Sequence, residues 1–167
     1  MVYEGCEKMK PTVYLLCGLP GLGKSTISHK LQKQNNAVAY SSDEWIIKLF
    51  GQEFSSEEFQ KYQAVARQKI LEAARTDLLQ RKSIILDFGF WKQNDRTKYI
   101  NWAKSLNAEP IIYFFNTDTE TLIERLAKRK QKNKNKSLIV TKAMLHAFIH
   151  QFEPPTNKEA KIIEVKN

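Results

Sequence analysis

Residues 12–26 read TVYLLCGLPGLGKST, and this stretch decides the fold. Its first six residues are β-branched and apolar, which predicts a short strand buried on both faces. Glycines and a proline then break the run, and from Lys24 onwards Ile27 and Leu31 recur at helical spacing. The stretch therefore predicts a strand, a tight loop and a helix in immediate succession.

Residues 18–25 match the pattern G-x-x-x-x-G-K-[ST] at every fixed position, and we call them the phosphate loop. Glycines let backbone amides turn inward around phosphate oxygens, and the N-terminus of the following helix adds a partial positive charge. In this pattern Lys24 reaches the β- and γ-phosphates of ATP, and the Ser25 hydroxyl binds Mg²⁺. The predicted nucleotide-binding residues are Gly18, Leu19, Pro20, Gly21, Leu22, Gly23, Lys24, Ser25 and Thr26. An ordinary glycine turn is the alternative, but the strand before it and the helix after it favour a phosphate loop.

Outward from this loop, predicted strands alternate with predicted helices. Short apolar runs predict strands at 12–17, 37–40, 83–87, 110–115 and 161–165. Helical spacing predicts helices at 24–34, 44–50, 94–106, 119–130 and 141–152. Ser55 and Glu58 form a capping box for a further long helix that ends near Gln80. The alternation predicts an α/β fold in which helices cover both faces of one parallel sheet.

Asp43 and Asp87 lie at or just after the ends of two predicted strands. Ligands of open parallel sheets collect beyond the carboxyl ends of the strands, so we expect both aspartates and the phosphate loop to meet in one cleft. Asp87 ends the run SIILD, a form in which an apolar strand delivers an acidic residue to a Mg²⁺-bound water or to Ser25. The alternatives are a turn cap for Asp87 and a helix N-cap for Asp43.

The length of 167 residues suits one domain, residues 1–167, and 42% hydrophobic residues supply the apolar surface for a core. The only cysteines are Cys6 and Cys17, which does not indicate a disulfide framework or a cysteine metal site. No apolar run approaches the roughly 20 residues that span a bilayer, and the N-terminus lacks the features of a signal peptide. We therefore expect a cytoplasmic protein without a membrane partner.

The formal net charge is +9, and the positive excess is uneven along the chain. Residues 125–142 read RLAKRKQKNKNKSLIVTK and carry eight basic residues without an acidic one. Such a segment suits a lid over ATP, a solvated surface loop or a surface that binds nucleic acid. The sequence leaves these three interpretations open.

Five segments reinforce one another: GLPGLGKST, SSDEW, ILDFGFW with Arg96 after it, TDTETLIERLAKR and FEPPTNKE. Together they resemble the zeta-toxin and polynucleotide-kinase-like branch of P-loop kinases, which includes chloramphenicol phosphotransferase and small AAA_33-type proteins. The similarity runs from about Thr12 to Val165. It implies a three-layer P-loop fold with a five-stranded parallel sheet of the nucleotide-kinase type and a short lid. It also implies ATP and Mg²⁺ as cosubstrates and a hydroxyl acceptor.

The resemblance further implies roles for individual residues. Asp43 would accept the proton of the attacking hydroxyl. Arg125 and Arg129, four apart on one predicted helix, would be lid arginines that meet the transferring phosphate. Arg96 matches another recurrent arginine, for which a catalytic or substrate role and a surface ion pair are both open.

Aromatic and proline residues supply the remaining candidates. Phe88, Phe90 and Trp91 crowd the exit of the third strand, where they would form core or cleft wall, or would stack on a ring substrate. Trp91 is the candidate for such a substrate contact. Pro154 and Pro155 make a stiff, extended piece that would line the adenine pocket, although a plain connector explains them equally well.

These features predict an ATP-dependent kinase that phosphorylates a hydroxyl of a small molecule, a nucleotide or a nucleic-acid end. The positive charge favours an anionic acceptor, whereas the short chain favours a small alcohol. An ATPase switch and a nucleic-acid-binding module are the competing classes. Asp43 argues against the switch, because a switch needs a group that positions water instead of a base beside an acceptor.

Overall fold

The computed structural model describes residues 9–132 and 141–166, with only the backbone described for residues 129–132. Within these residues, five strands form one sheet in the order β2–β3–β1–β4–β5, and every neighbouring pair is parallel. The strands are β1 Thr12–Cys17, β2 Val38–Ser41, β3 Ile84–Gly89, β4 Glu109–Asn116 and β5 Lys161–Lys166. The predicted α/β fold with a five-stranded parallel sheet is confirmed.

The helices of the described residues are α1 Lys24–Asn35, α2 Ser42–Phe50, α3 Ser56–Leu79, α4 Gln93–Ser105, α5 Thr119–Lys132 and α6 Lys142–Gln151. Each predicted helix is present, and its ends lie close to the predicted ones. The helix α2 begins before the predicted residue 44 because Ser41 is its N-cap, where Oγ accepts a hydrogen bond from the Glu44 backbone N–H at 3.4 Å. No helix in the described residues combines the length and the apolar character that a bilayer span requires.

Helices cover both faces of the sheet, as the alternating pattern predicts. On one face α3 and α4 pack through residues that include Ile70 and Ile100. On the other face α1, α5 and α6 pack through Leu31, Leu122 and Leu145. The strand β1 lies between β3 and β4, and all of its residues after Thr12 are buried, which accounts for its unbroken apolar run.

The helices α2 and α3 pack against each other and are joined by an aromatic connection. Phe50 stacks on Tyr62 with ring centroids 3.9 Å apart, and Phe54 meets Tyr62 edge-on at 5.9 Å. The capping box predicted from Ser55 and Glu58 is confirmed, because each residue accepts a hydrogen bond from the backbone N–H of the other. The long helix α3 therefore starts at a fixed point directly after the aromatic connection.

Candidate active site

The sheet order brings three chain segments to one edge. The phosphate loop follows β1, Asp43 lies in the first turn of α2 directly after β2, and Asp87 lies in β3. In the β2–β3 ladder Ser41 is paired with Asp87, and the Ser42 hydroxyl donates a long hydrogen bond of 3.5 Å to the Asp87 backbone oxygen. The carboxyl ends of β1, β2 and β3 thus lie side by side at one edge of the sheet, where ligands of open parallel sheets collect.

The phosphate loop has a backbone that only glycine adopts freely at two of its positions. Gly21 and Gly23 have φ values of +85° and +81°, in the left-handed region. A Cβ on Gly21 would also lie 2.8 Å from the Leu126 side chain of α5. Gly23 is the N-cap of α1, and no side chain among the described residues hydrogen-bonds there as a cap. The backbone N–H groups at this helix start suit a phosphate ligand.

Lys24 extends over the phosphate loop. Its Nζ donates hydrogen bonds to the backbone oxygens of Gly18 at 3.1 Å and Leu19 at 2.8 Å. The next two residues, Ser25 and Thr26, are exposed in the first turn of α1. The loop therefore fits a nucleotide polyphosphate, with a cation held across it and amides and hydroxyls at its rim.

The donor set also fits Mg²⁺ bound together with a nucleotide. In residues 9–132 and 141–166 no three histidine, cysteine or acidic side chains come together into a metal-binding group. Mg²⁺ in phosphate-transfer sites takes one or two protein oxygens and fills its other positions with phosphates and water. At this edge of the sheet, the Ser25 hydroxyl and the Asp87 carboxylate would supply the protein oxygens for Mg²⁺.

Strand alternation places Asp87 on the face of the sheet that α1 covers. Ile84, Leu86 and Phe88 belong to the core on the α3 and α4 side of the sheet, whereas Ile85 belongs to the core on the α1 side. Asp87 shares the side of Ile85, and it is half-buried. Here β3 has an extra residue relative to β1, a bulge of the kind that re-aims side chains beside active sites.

Asp43 is not the N-cap of α2, because Ser41 occupies that position. It is half-buried in the first turn of the helix, where the helix dipole stabilises a negative charge. The N-cap alternative for Asp43 is therefore wrong. Asp43 therefore lies directly after β2, at the same sheet edge as the phosphate loop.

The helix α5 lies against the phosphate loop through Leu126, which meets Gly21. Arg125 is half-buried beside it, and Arg129 lies one turn further along α5. The side chain of Arg129 and residues 133–140 of the basic segment lie outside the described residues. The backbone alone thus places both arginine positions on a helix that contacts the phosphate loop.

The structure places Arg96 away from any substrate surface and not in a surface ion pair. Its side chain is fully buried and pairs with Glu159 through Nε at 2.7 Å and a second nitrogen at 3.1 Å. Arg96 Nη1 also donates hydrogen bonds to the backbone oxygens of Phe90 at 2.9 Å and Glu153 at 2.8 Å. A direct substrate contact is incompatible with this burial, and Arg96 instead joins α4 to residues 153–159. The sequence does not predict this pair. Its only signals are the recurrent Arg96 and the glutamate that ends FEPPTNKE, Glu159.

Glu159 titrates under opposing influences. Burial raises the pKa of its carboxyl, but hydrogen bonds from Arg96 and from the Thr156 backbone N–H, together with the charge of Arg96, outweigh burial and lower it overall. The folded protein then holds Glu159 ionised at a lower pH than the unfolded chain does. The stability that this group contributes is present above about pH 4.3 and is lost as pH falls through the lowered pKa.

The Glu159→Gln variant should be destabilised by about 3 kcal/mol at neutral pH, because it leaves the Arg96 guanidinium buried without a counter-charge. Its free energy of unfolding should also fall less steeply than that of the parent between pH 5 and pH 3. Urea unfolding at several pH values measures both effects. The control is Glu164→Gln on an exposed part of β5, which should change stability by less than about 0.5 kcal/mol. Equal stability of the parent and Glu159→Gln would contradict a structural role for the pair.

Trp91 is half-buried and does not present an open stacking surface. Its indole Nε1 donates a hydrogen bond of 3.3 Å to the Gly18 backbone oxygen, and its ring packs on Phe148 of α6 with centroids 4.4 Å apart. Phe88 and Phe90 are buried in the core, as the first of the two alternatives predicts. Trp91 is thus a wall of the site beneath the phosphate loop.

An apolar cavity of about 160 Å³ opens next to the phosphate loop. Its lining comes from the phosphate loop, the end of β4, the start of α5, α6 and the segment after α6. These residues are Leu19, Leu22, Phe114, Phe115, Asn116, Thr117, Thr119, Leu122, Ile149, Phe152 and Pro154. The ring of Phe152 stacks parallel to that of Phe114 at 6.1 Å. Pro154 lines the cavity, while Pro155 is half-buried and is not part of this lining.

Comparison with known families gives one extended match: the family model AAA_33, described as an AAA domain, matches residues 13–155. A comparison with curated proteins finds no match.

Several solved structures share the fold. A candidate kinase from Chloroflexus aurantiacus J-10-fl superposes with a TM-score of 0.74 at 20% identity, over 95% of this chain and 86% of that one. Kti12 from Chaetomium thermophilum, solved in complex with ADP-AlF3, gives 0.69 at 13% identity over 92% and 88%. A gluconokinase from Sinorhizobium meliloti 1021 gives 0.61 at 14% identity over 96% and 86%. At these identities the likeness shows a common P-loop kinase fold and leaves the acceptor open.

Proposed function

Because this chain belongs to the AAA_33 family, we propose that it is an ATP-dependent phosphotransferase, which moves the γ-phosphoryl group of MgATP onto an acceptor hydroxyl. The observation that carries the proposal is the meeting of three segments at one sheet edge. The phosphate loop with Lys24 follows β1, the half-buried Asp87 lies near the end of β3, and the half-buried Asp43 follows β2. In the sheet, β3 lies between β1 and β2. A protein that only binds the nucleotide would not need a carboxylate at the position of Asp43.

On this proposal the nucleotide lies along the side of the sheet that α1, α5 and α6 cover. The phosphates occupy the loop, and the adenine ring enters the apolar cavity beside Leu19, Leu22 and Pro154. Most of its lining is apolar and three lining residues, Asn116, Thr117 and Thr119, are polar, which is the usual composition of a small-molecule site.

The chemistry asks the protein mainly for positioning and charge neutralisation. Lys24 would leave the loop carbonyls for the β- and γ-phosphate oxygens, and Ser25 and Asp87 would hold Mg²⁺. When bound, Mg²⁺ neutralises charge that develops on the phosphates. Arg125 and Arg129, whose positions lie on α5, would neutralise charge on the γ-phosphate.

Asp43 stands on the opposite side and accepts the hydroxyl proton. The acceptor oxygen forms a bond to the γ-phosphorus, the bond between this phosphorus and the bridging oxygen of ADP breaks, and the proton passes to the Asp43 carboxylate. The acceptor is a small alcohol, a nucleotide or a nucleic-acid end.

A screen with ATP labelled at the γ-phosphate tests the proposal. Acceptors should include oligonucleotides with free 5′-hydroxyls, nucleosides, sugars and hydroxyl-bearing antibiotics, each with and without Mg²⁺. A labelled product that needs both Mg²⁺ and the protein supports a kinase. Release of labelled inorganic phosphate without any labelled acceptor would replace it by an ATPase.

The Asp87→Asn variant should raise the Mg²⁺ concentration for half-maximal transfer by about 10- to 100-fold, because the carboxylate supports the metal site. Transfer rates measured over a range of Mg²⁺ concentrations check this. The control is Glu109→Gln, an exposed acid at the amino end of β4 and so at the opposite edge of the sheet. An unchanged Mg²⁺ dependence in Asp87→Asn would remove Asp87 from the metal site.

A further inference from the structure

Gly18, the first residue of the phosphate loop, is held on both of its backbone polar groups. Its N–H donates to the Gly89 oxygen at 2.9 Å. Its oxygen accepts from two donors, Lys24 Nζ at 3.1 Å and Trp91 Nε1 at 3.3 Å. Two of these three partners, Gly89 and Trp91, belong to the segment that leaves β3.

The two donors to the Gly18 oxygen differ in what a bound nucleotide does to them. An ammonium group bonds more strongly to a phosphate oxyanion than to a neutral carbonyl, so Lys24 would turn from the loop to the phosphates. Gly18 is buried, so leaving its carbonyl without any hydrogen-bond donor would cost free energy. The indole N–H of Trp91 is an uncharged donor, so a bound phosphate attracts it less than it attracts Lys24. It can therefore keep its hydrogen bond to the Gly18 oxygen when a nucleotide is bound.

The backbone before Trp91 fixes the place of this indole. Gly89 and Phe90 have successive positive φ values of +77° and +48°, which is costly for an aromatic residue. The Phe90 oxygen is held by Arg96 at 2.9 Å and by the Cys17 thiol at 3.3 Å. Burial raises the pKa of Cys17 to about 12, so the thiol keeps its proton and donates.

Close packing around the indole adds a second constraint. A Cβ on Gly89 would lie 2.8 Å from Trp91 Nε1, so only glycine leaves room for the ring. On its other side the ring packs on Phe148, and the Trp91 oxygen accepts from the Glu153 backbone N–H at 2.8 Å. Glu153 directly precedes Pro154 in the cavity wall, so Trp91 connects the phosphate loop to that wall.

We propose that Trp91 is a positioning residue for the nucleotide phosphates: its indole N–H keeps the Gly18 carbonyl in place when Lys24 transfers its hydrogen bonds to a phosphate. The inference rests on the proposed function, because it needs phosphates in the loop. Trp91 acts through Gly18 and touches neither the reacting atoms nor the acceptor. It therefore sets nucleotide affinity and leaves the chemical step unchanged.

Calorimetry with MgATP and MgADP on Trp91→Phe tests the inference. Phenylalanine keeps a ring against Phe148 and removes the N–H, so both dissociation constants should rise by about 5- to 30-fold. With an acceptor from the screen, KM for ATP should rise and kcat should stay within about twofold of the parent. The matched control is Trp102→Phe in α4, a half-buried tryptophan on the other face of the sheet, which should leave both constants unchanged.

Each outcome separates the inference from the function beneath it. If the parent protein does not bind MgATP, the proposed function fails first, and the inference fails with it. If the parent binds and Trp91→Phe binds equally well, only the inference is overturned. A raised KM for the acceptor with unchanged affinity for MgADP would also overturn it, because Trp91 would then contact the substrate.

A measurement on the parent protein covers the case in which Trp91→Phe does not fold. Exchange of the Trp91 indole hydrogen with solvent, followed by NMR, should be slow without nucleotide and no faster with MgADP. Faster exchange with MgADP would show that Trp91 releases Gly18 when phosphates bind, which contradicts the inference.

Discussion

Lys24→Ala is expected to lose phosphoryl transfer by about 100- to 1,000-fold, because it removes a positioned cation from the phosphates. Affinity for MgATP should fall by about 10- to 100-fold, the range for hydrogen bonds to charged groups. The fold should survive, since the hydrogen bonds from Nζ to the Gly18 and Leu19 oxygens lie within one loop. Calorimetry, the transfer assay and an unfolding curve measure the three quantities.

The control for this variant is Lys30→Ala, an exposed lysine on the same helix. It changes the net charge by the same amount and lies outside the phosphate loop, so binding and transfer should match the parent. Unchanged MgATP affinity together with full turnover in Lys24→Ala would remove the phosphate-loop assignment.

Asp43→Asn should bind MgATP normally and lose turnover by about 100-fold or more, the usual cost of a missing general base. The shape of the side chain is retained and only its ability to take a proton is lost. Single-turnover transfer at saturating MgATP, with the acceptor identified by the screen, measures the effect. The dependence on Mg²⁺ should stay that of the parent, in contrast to Asp87→Asn.

Glu44→Gln is the matched control, because Glu44 is the exposed neighbour in the same first turn of α2. A general effect of negative charge at this helix start would appear in both variants. If Asp43→Asn turns over like the parent, the base lies elsewhere in the cleft.

Local patterns made the fold predictable. The strand, loop and helix of residues 12–26 follow from apolar content, glycine positions and helical spacing, each within a few residues. The parallel sheet follows from the alternation of elements along the chain. The predicted start of α2, residue 44, lies two residues after the observed start at Ser42. A serine cap gives no apolar signal, and Ser41 lies at the end of a strand.

The contacts that the sequence does not predict join residues far apart along the chain. Arg96 bonds to Glu159, 63 residues away, and Trp91 bonds to Gly18, 73 residues away. Spacing along the chain carries no information on such pairs, so from sequence alone an arginine beside a predicted site is expected to contact substrate or lie on the surface. The large ring of Trp91 suggests stacking on a substrate ring. In the structure its indole N–H instead donates a hydrogen bond to the Gly18 oxygen.

The aromatic connection between α2 and α3 has an evolutionary consequence. Phe50, Phe54 and Tyr62 join these two helices to each other, and Asp43 stands at the start of α2. The nucleotide side of the proposed site draws on β1, α1, β3, α5 and α6 instead. On the proposed function, substitutions in α2 and α3 would therefore change the acceptor side of the site and leave the phosphate loop unchanged. Duplicated genes that diverge in these two helices would encode enzymes with one phosphate donor and different acceptors.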